Sequence, residues 1–508
     1  MNEKWFRSLL RKRFIIVVLL LIQIAAIVYT LISRSTTSKI TAAALALLSL
    51  SVCLYIISRR DKGAFKLSWV FTIMMFPLFG GLFYLIFKAQ SASRRLAGMR
   101  VKAEEKMRAS ADASDDALAL LERKAPDYLP IARYLKDTAG FPLYADSSAD
   151  YLSPGEKFHE VLLAELEKAE NYIFLEFFIV QDGKMWGSIL DVLKRKVAQG
   201  VKVRLIYDDV GCFLKLPSGY AESLCSMGIE TVVFNPFRPV LTSLQNNRDH
   251  RKIAVIDGKT AFTGGINLAD EYINALERFG HWKDAGAVVH GPAAWSFTLM
   301  FLQMWQLCSG KEEDYGQYRP VLRESFADGF MQPWADSPND RENVGEHVYL
   351  HMINRAKKYI YINTPYLIVD DSMVSALILA AKSGVDVRIV TPHKWDKRLV
   401  HMTTRSYYRE LINGGVKIYE YSLGFIHSKT FICDDECANI GTTNLDFRSL
   451  YLHYECGLWL QGGRAVRQLK EDYMNTLQQC RQIKAEDCRS GIVKTLFQEI
   501  LRLFAPLM

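Results

Sequence analysis

Between about residues 169 and 460 the chain repeats itself in order, and that repetition restricts its folds more than any other feature. Ala169-Glu170-Asn171-Tyr172-Ile173 returns as Ala356-Lys357-Lys358-Tyr359-Ile360, 187 residues later. Gly200-Val201-Lys202-Val203-Arg204 returns as Gly384-Val385-Asp386-Val387-Arg388 after 184, and His250 as His427 after 177. The apolar runs after Asp284 and Glu455 lie 171 apart. A smooth drift of this kind is what loop insertions and deletions leave between two copies of one unit. Short apolar runs alternate with amphipathic stretches in each copy, which reads as α/β. Two copies are too few for a solenoid, so a pseudo-twofold pair facing each other is the simpler arrangement. The polar, Gly-, Pro- and acid-rich span Ser309–Arg341 reads as the connection.

Each copy carries a histidine, a lysine two residues on and an aspartate five further: His250, Lys252, Asp257 and His427, Lys429, Asp434. Ten residues past each aspartate stands an asparagine, Asn267 behind Gly264-Gly265-Ile266 and Asn444 behind Gly441-Thr442-Thr443. A single histidine match of this kind would usually be a core residue; the duplication with its lysine, glycine and asparagine argues for a site. Residues two apart on a strand share a face, and the following Ile253–Ile256 and Thr430–Cys433 runs read as buried strands. Glycines allow close backbone approach, and an asparagine adds a neutral donor. Two such faces opposed give two imidazoles, two ammonium groups and two amides around one point, a setting for a tetrahedral phosphodiester. The lysines supply the positive charge, so the reading needs no metal or cofactor. One histidine attacks phosphorus and the other shuttles the proton. Symmetry leaves open which does which. Asp284 and Glu455, at matching places, are expected to orient the imidazoles. Asp257 and Asp434, five residues from their lysines, are expected to act structurally. Asn267, Asn444 and Thr442 are expected at the phosphate.

The ends of the chain point to a membrane. Phe14–Ile32 and Ile40–Ser58 are each long and apolar enough to span a bilayer. Arg7, Arg11, Lys12 and Arg13 precede the first, and Arg59, Arg60, Lys62 and Lys66 follow the second, against Arg34 and Lys39 between them. That bias puts both outer flanks in the cytoplasm. Leu67–Phe87, broken by Pro77 and Gly80-Gly81 and basic on both sides, reads as a re-entrant or interfacial hairpin, with a third span as the alternative. The C-terminal Leu496, Phe497, Ile500, Leu501, Leu503 and Phe504 have helical spacing, suited equally to a membrane surface or a core. A net charge of +8 suits an anionic membrane or a nucleic acid alike. The nine cysteines form no C-x-x-C pair and read as reduced thiols; Cys433 and Cys437 lack the second pair a zinc site needs.

These motifs resemble the phospholipase D superfamily, and more narrowly the bacterial cardiolipin synthases. The resemblance is carried by Asn247-Arg248-Asp249-His250-Arg251-Lys252, by Gly264 to Tyr272, by Gly424 to Lys429, by Gly441 to Ser449 and by Thr364-Pro365-Tyr366, and it covers about residues 60 to 508. Asp249 stands where that family usually has Asn, Leu367 where it commonly has Phe, and the first span is additional. The resemblance implies two phospholipase D-like α/β/α sandwich domains packed face to face behind N-terminal membrane helices: helices over 1–58, a hairpin and basic linker over 59–110, and domains over 111–318 and 319–508. It implies transfer of a phosphatidyl group between two phosphatidylglycerols with release of glycerol, with His250 as nucleophile and His427 as acid/base. The implied partners are phosphatidylglycerol and anionic membrane lipid rather than nucleic acid, at the cytoplasmic membrane, with the catalytic domains on the cytoplasmic side and the oligomeric state left open. The alternatives are a hydrolase or head-group exchange enzyme on the same scaffold and, more distantly, a membrane-bound nuclease.

Overall fold

The structure is a computed structural model that describes residues 35–76, 80–81, 84–85, 94–111, 114–237, 243–322, 326–339 and 342–507. The chain divides into two compact units, one made of 1–93, 237–246 and 499–508 and the other of 94–236 and 247–498.

The larger unit holds both copies of the repeat. The first copy builds a seven-stranded sheet from β1 (Ser148–Leu152), β2 (Tyr172–Phe177), β3 (Lys202–Asp208), β4 (Ile229–Phe234), β5 (Lys252–Ile256), β6 (Thr260–Gly264) and, after the short β7 (His281–Lys283), β8 (Gly286–His290). Their order is β1-β8-β6-β5-β2-β3-β4. The second copy supplies β9 (Phe330–Asp336), β10 (Tyr359–Asn363), β11 (Leu367–Ile368), β12 (Asp386–Pro392), β13 (Lys417–Tyr421), β14 (Gly424–Ile426), β15 (Thr430–Cys433), β16 (Cys437–Gly441), β17 (Leu445–Asp446), β18 (Glu455–Gln461) and β19 (Cys480–Ile483). Its sheet runs β19-β13-β12-β10-β15-β16-β18-β9, the same order with β19 added at one edge. In both, the first three equivalent strands are parallel (β2-β3-β4 and β10-β12-β13) and the strand after each histidine joins antiparallel. Helices cover the parallel strands; Lys184–Ala198 buries Met185, Trp186, Ile189 and Leu193. The span read as a polar connection contains β9, which pairs with β18 and buries Phe330, Met331 and Trp334.

Short exchanges join the halves. β14 pairs in parallel with β7, Asp249 bridges to Tyr454, and Thr263 Oγ1 lies 3.4 Å from Cys456 Sγ. All nine cysteines are free thiols.

In the smaller unit Thr36–Ser58 and Gly63–Met75 are helices. Val52, Ile56, Ile73 and Tyr84 form a small apolar cluster. Gly80 lies against Ile73, where a Cβ would come within 2.7 Å of the Ile73 Cα, and the glycine permits that approach. Among the described residues no helix is long and apolar enough to cross a membrane. The span expected at Ile40–Ser58 lies within the Thr36–Ser58 helix. The Phe14–Ile32 run and Pro77 lie outside the described residues.

Candidate active site

The two aspartates of the doubled motif are placed by backbone. Asp257 accepts from the N–H groups of Glu170, Asn171 and Tyr172 at 2.7–2.8 Å. Asp434 accepts from those of Lys357, Lys358 and Tyr359 at the same distances. Each sits in a left-handed turn, φ 51° and 59°, a conformation Asp tolerates better than most residues. Each ties the end of β5 or β15 to the start of its antiparallel neighbour, β2 or β10, away from the histidines.

The histidines stand just before their strands, so His and Lys do not lie on one regular ladder. β5 begins at Lys252 and β15 at Thr430. The reason is that the histidine backbones bond to the opposite half: His250 N donates to Tyr454 O at 2.9 Å and His427 N to Lys283 O at 2.7 Å. The lysines curl back, Lys252 Nζ donating to His250 O at 2.5 Å and Lys429 Nζ to His427 O.

The carboxylates cross over. His250 Nδ1 lies 2.9 and 3.1 Å from the two oxygens of Glu455, a residue of the second copy. His427 Nδ1 lies 2.7 Å from Asp284 Oδ2, a residue of the first. All four side chains are buried. Each imidazole therefore gives its Nδ1 proton to a carboxylate and turns Nε2 free for chemistry. Lys429 Nζ is also 2.9 Å from His427 Nδ1, but a nitrogen donating to Asp284 cannot also accept, so Lys429 acts there as a neighbouring cation. Gly265 makes room: a Cβ on it would fall 2.1 Å from Asp284 Oδ1. The glycine thus serves the approach of a carboxylate.

Thr442 donates to Glu455 Oε2, so its hydroxyl holds the carboxylate rather than facing a phosphate. Asn267 accepts from Ile179 N at 2.9 Å and donates to Tyr272 OH at 2.7 Å. Asn444 donates to Asp446 at 3.1 Å, and its buried Oδ1 has no hydrogen-bond partner among the described residues. Each amide keeps a second N–H to give.

Burial, with lesser help from Lys252 and Lys429, holds the His250 pKa well below its ordinary value. Burial and Lys429 bring His427 down to about 4, opposed by Asp284. Burial lowers Lys252 to about 8 and Lys429 to about 7, with Glu455 and Asp284 respectively opposing it. For Asp284 burial acts upward, but the His427 and Lys429 charges outweigh it and hold the carboxyl below its usual range. An anionic phosphodiester between the lysines would raise all four basic groups together.

Residues that the motif reading did not single out complete the site. Trp282, two before Asp284, packs on His427 with ring centroids 5.2 Å apart; His453, two before Glu455, packs on His250 at 5.6 Å. The equivalence is visible in the repeat once the carboxylates are aligned. Arg448 donates Nε to His453 Nε2 at 3.3 Å. His250, His453 and Glu455 bring three ligand atoms within 4.8 Å of one another and are the described residues able to hold a metal ion, although His250 and Thr442 already bond to Glu455. Asp249, unusual beside the histidine, balances the buried Arg251 at 3.4 Å together with Glu176 at 2.9 Å.

A family model described as cardiolipin synthase, PLD-like domain, matches residues 162–292 and 349–477. A second, phospholipase D-nuclease N-terminal, matches 44–88. The cardiolipin synthase of Alkalihalophilus pseudofirmus is 36% identical over 449 residues, covering 87% of this chain and 88% of that one. That of Geobacillus thermodenitrificans is 34% identical over 499 residues, covering 97% and 99%. An uncharacterized protein of Streptococcus mutans is 40% identical over 460 residues, covering 90% and 99%. The crystal structure of phosphatidylserine synthase from Haemophilus influenzae superposes with a TM-score of 0.57 at 14% identity, covering 74% of this chain and 97% of that one, a likeness of fold. Two α/β halves, each matched by the PLD-like domain model, define a phospholipase D-like protein. Within that class the chain belongs to the cardiolipin synthase family.

Proposed function

We propose that the chain joins two molecules of phosphatidylglycerol into cardiolipin and glycerol through a covalent phosphatidyl-histidine. It is a phosphatidyltransferase of phospholipid synthesis by family. The observation that carries the mechanism is the crossed pairing, which gives each half's histidine the carboxylate of the other and makes one centre of two.

His250 Nε2 attacks the donor phosphorus while Glu455 holds its Nδ1 proton and spreads the charge that develops. Lys252, Lys429 and the second N–H groups of Asn267 and Asn444 hold the non-bridging oxygens. His427, protonated under the combined pull of Asp284 and the substrate's negative charge, gives its Nε2 proton to the departing glycerol oxygen. Now neutral, it takes a proton from the terminal hydroxyl of the second phosphatidylglycerol, whose oxygen displaces His250 from phosphorus.

The N-terminal segments anchor the protein in the cytoplasmic membrane as a multi-pass protein, with the catalytic halves on the cytoplasmic side. The basic flanks at Arg7–Arg13 and Arg59–Lys66 support that orientation.

The test is to give the purified full chain phosphatidylglycerol and resolve the lipids. Cardiolipin with one glycerol released per cardiolipin is expected. Phosphatidic acid alone would mean that water, not a second lipid, is the acceptor, and the proposal would fail.

A further inference from the structure

Beside the catalytic centre lies a surface that the reaction does not use. The segment Lys394-Trp395-Asp396-Lys397-Arg398-Leu399 mixes three cations with Trp395 and Leu399, each 52% exposed. Large apolar side chains rarely stand together in water on a protein that keeps to itself. The segment is tied to the site. Asp396 accepts from Tyr366 OH at 2.5 Å, and Lys397 Nζ lies 5.4 Å from the Tyr366 ring. Leu399 opens the Arg398–Asn413 helix, whose Thr404 hydroxyl receives Leu367 N at 3.2 Å. Leu367 pairs with Leu445, the residue after Asn444. The surface thus rests on the strands that carry the site.

A second apolar stripe meets the same helix. Gln498 Nε2 donates to the carbonyl of Met402, one turn from Leu399, at 3.3 Å. This ties the middle of the Ile492–Phe504 helix to the Arg398–Asn413 helix; in its first turns Ile492 is 87% and Leu496 61% exposed. The spacing seen in the sequence at Leu496 and Phe497 is therefore, at this end of the helix, an exposed stripe and not core.

We propose that Trp395, Leu399, Ile492 and Leu496, framed by Lys397 and Arg398, form a face that inserts shallowly into the anionic bilayer holding the substrate. Trp and Leu beside Lys and Arg are the composition of an interfacial anchor: the rings and aliphatic chains enter the headgroup region while the cations meet lipid phosphates. The positive charge favours an anionic lipid surface over an apolar protein partner, and a lipid-consuming site beside the face gives docking a purpose. The inference rests on the lipid-transfer reading above.

The experiment compares wild type with Trp395→Ser/Leu496→Ser, both as full chains. Dihexanoyl-phosphatidylglycerol dispersed below its micelle concentration reads the chemistry without a surface, and here the two should agree within about twofold. In vesicles of phosphatidylglycerol and phosphatidylethanolamine, the mole fraction of phosphatidylglycerol giving half-maximal rate should rise about tenfold in the variant with kcat little changed. Tryptophan fluorescence in vesicles of headgroup-proximal brominated lipid should be quenched more in wild type than in Trp395→Phe. An unchanged vesicle profile, or equal quenching, overturns the proposal. So does a variant that alters only self-association, since the face would then bind a second copy. Failure of wild type to turn over either substrate would instead count against the transfer reading.

Discussion

At the scale of residues, the site is a set of neighbours that keep one another's protons in place. His250→Ala and His427→Ala should each lower cardiolipin formation by at least about a thousandfold, because under the proposed mechanism each removes a group that makes or breaks a bond. Glu455→Gln and Asp284→Asn should each cost on the order of a hundredfold or more by releasing the Nδ1 proton and the ring orientation. Near-equal losses in steady-state turnover of phosphatidylglycerol would fit the crossed geometry, and an inert Glu455→Gln would not. The lysines add a falling limb to the pH dependence near neutrality. With Lys429 near 7 and Lys252 near 8, their cations are present below those values and lost above them. The profile of kcat/KM, which reports the free enzyme, should therefore fall as pH rises through about 7–8. Bound phosphodiester raises both pKa values, so the falling limb of kcat should lie at higher pH. A kcat/KM flat to about pH 9 would contradict this. The motif residues themselves were legible in the sequence because they recur in register. The crossing of Glu455 to His250 and Asp284 to His427 was not, since the repeat shows which positions match and not which copy each faces. Thr442 shows a similar limit: its place beside Asn444 suggests a phosphate contact, but its hydroxyl is at Glu455. His453 and Arg448 escaped notice because their equivalents in the first copy, Trp282 and Glu271, share neither charge nor chemistry.

At the scale of elements, each half is organised by an aspartate that gathers three backbone N–H groups. Asp434→Ala leaves the N–H groups of Lys357, Lys358 and Tyr359 without their acceptor and should destabilise by about 3 kcal/mol. Asp434→Asn should recover part of that. Thermal unfolding followed by far-UV circular dichroism checks both, and Asp257 should behave alike. Strand identity was readable because short apolar runs alternate with amphipathic stretches in the same order in both copies. The short exchanged pair β7–β14 was not, because three-residue strands carry no period and their pairing is decided between the halves. β9 was hidden in a polar stretch, its Phe330–Asp336 run being flanked by Gly, Ser and acids that dominate the local composition.

At the scale of the whole molecule, duplication supplied two similar half-sites and divergence made them unequal. His427 is walled by Trp282, Phe425 and Tyr272, whereas His250 has Phe178 and a second imidazole, His453. The inequality gives the two histidines different surroundings. Under the proposed mechanism His250 holds the phosphatidyl group and His427 moves the proton. The most direct test is to mix the full chain with phosphatidylglycerol labelled in the phosphate, quench within one turnover into alkali, where phosphohistidine survives, and sequence the labelled peptide. Acid-labile label on the peptide carrying His250, lost in His250→Ala, is the result this account predicts; no covalent label, or label confined to the His427 peptide, would contradict it.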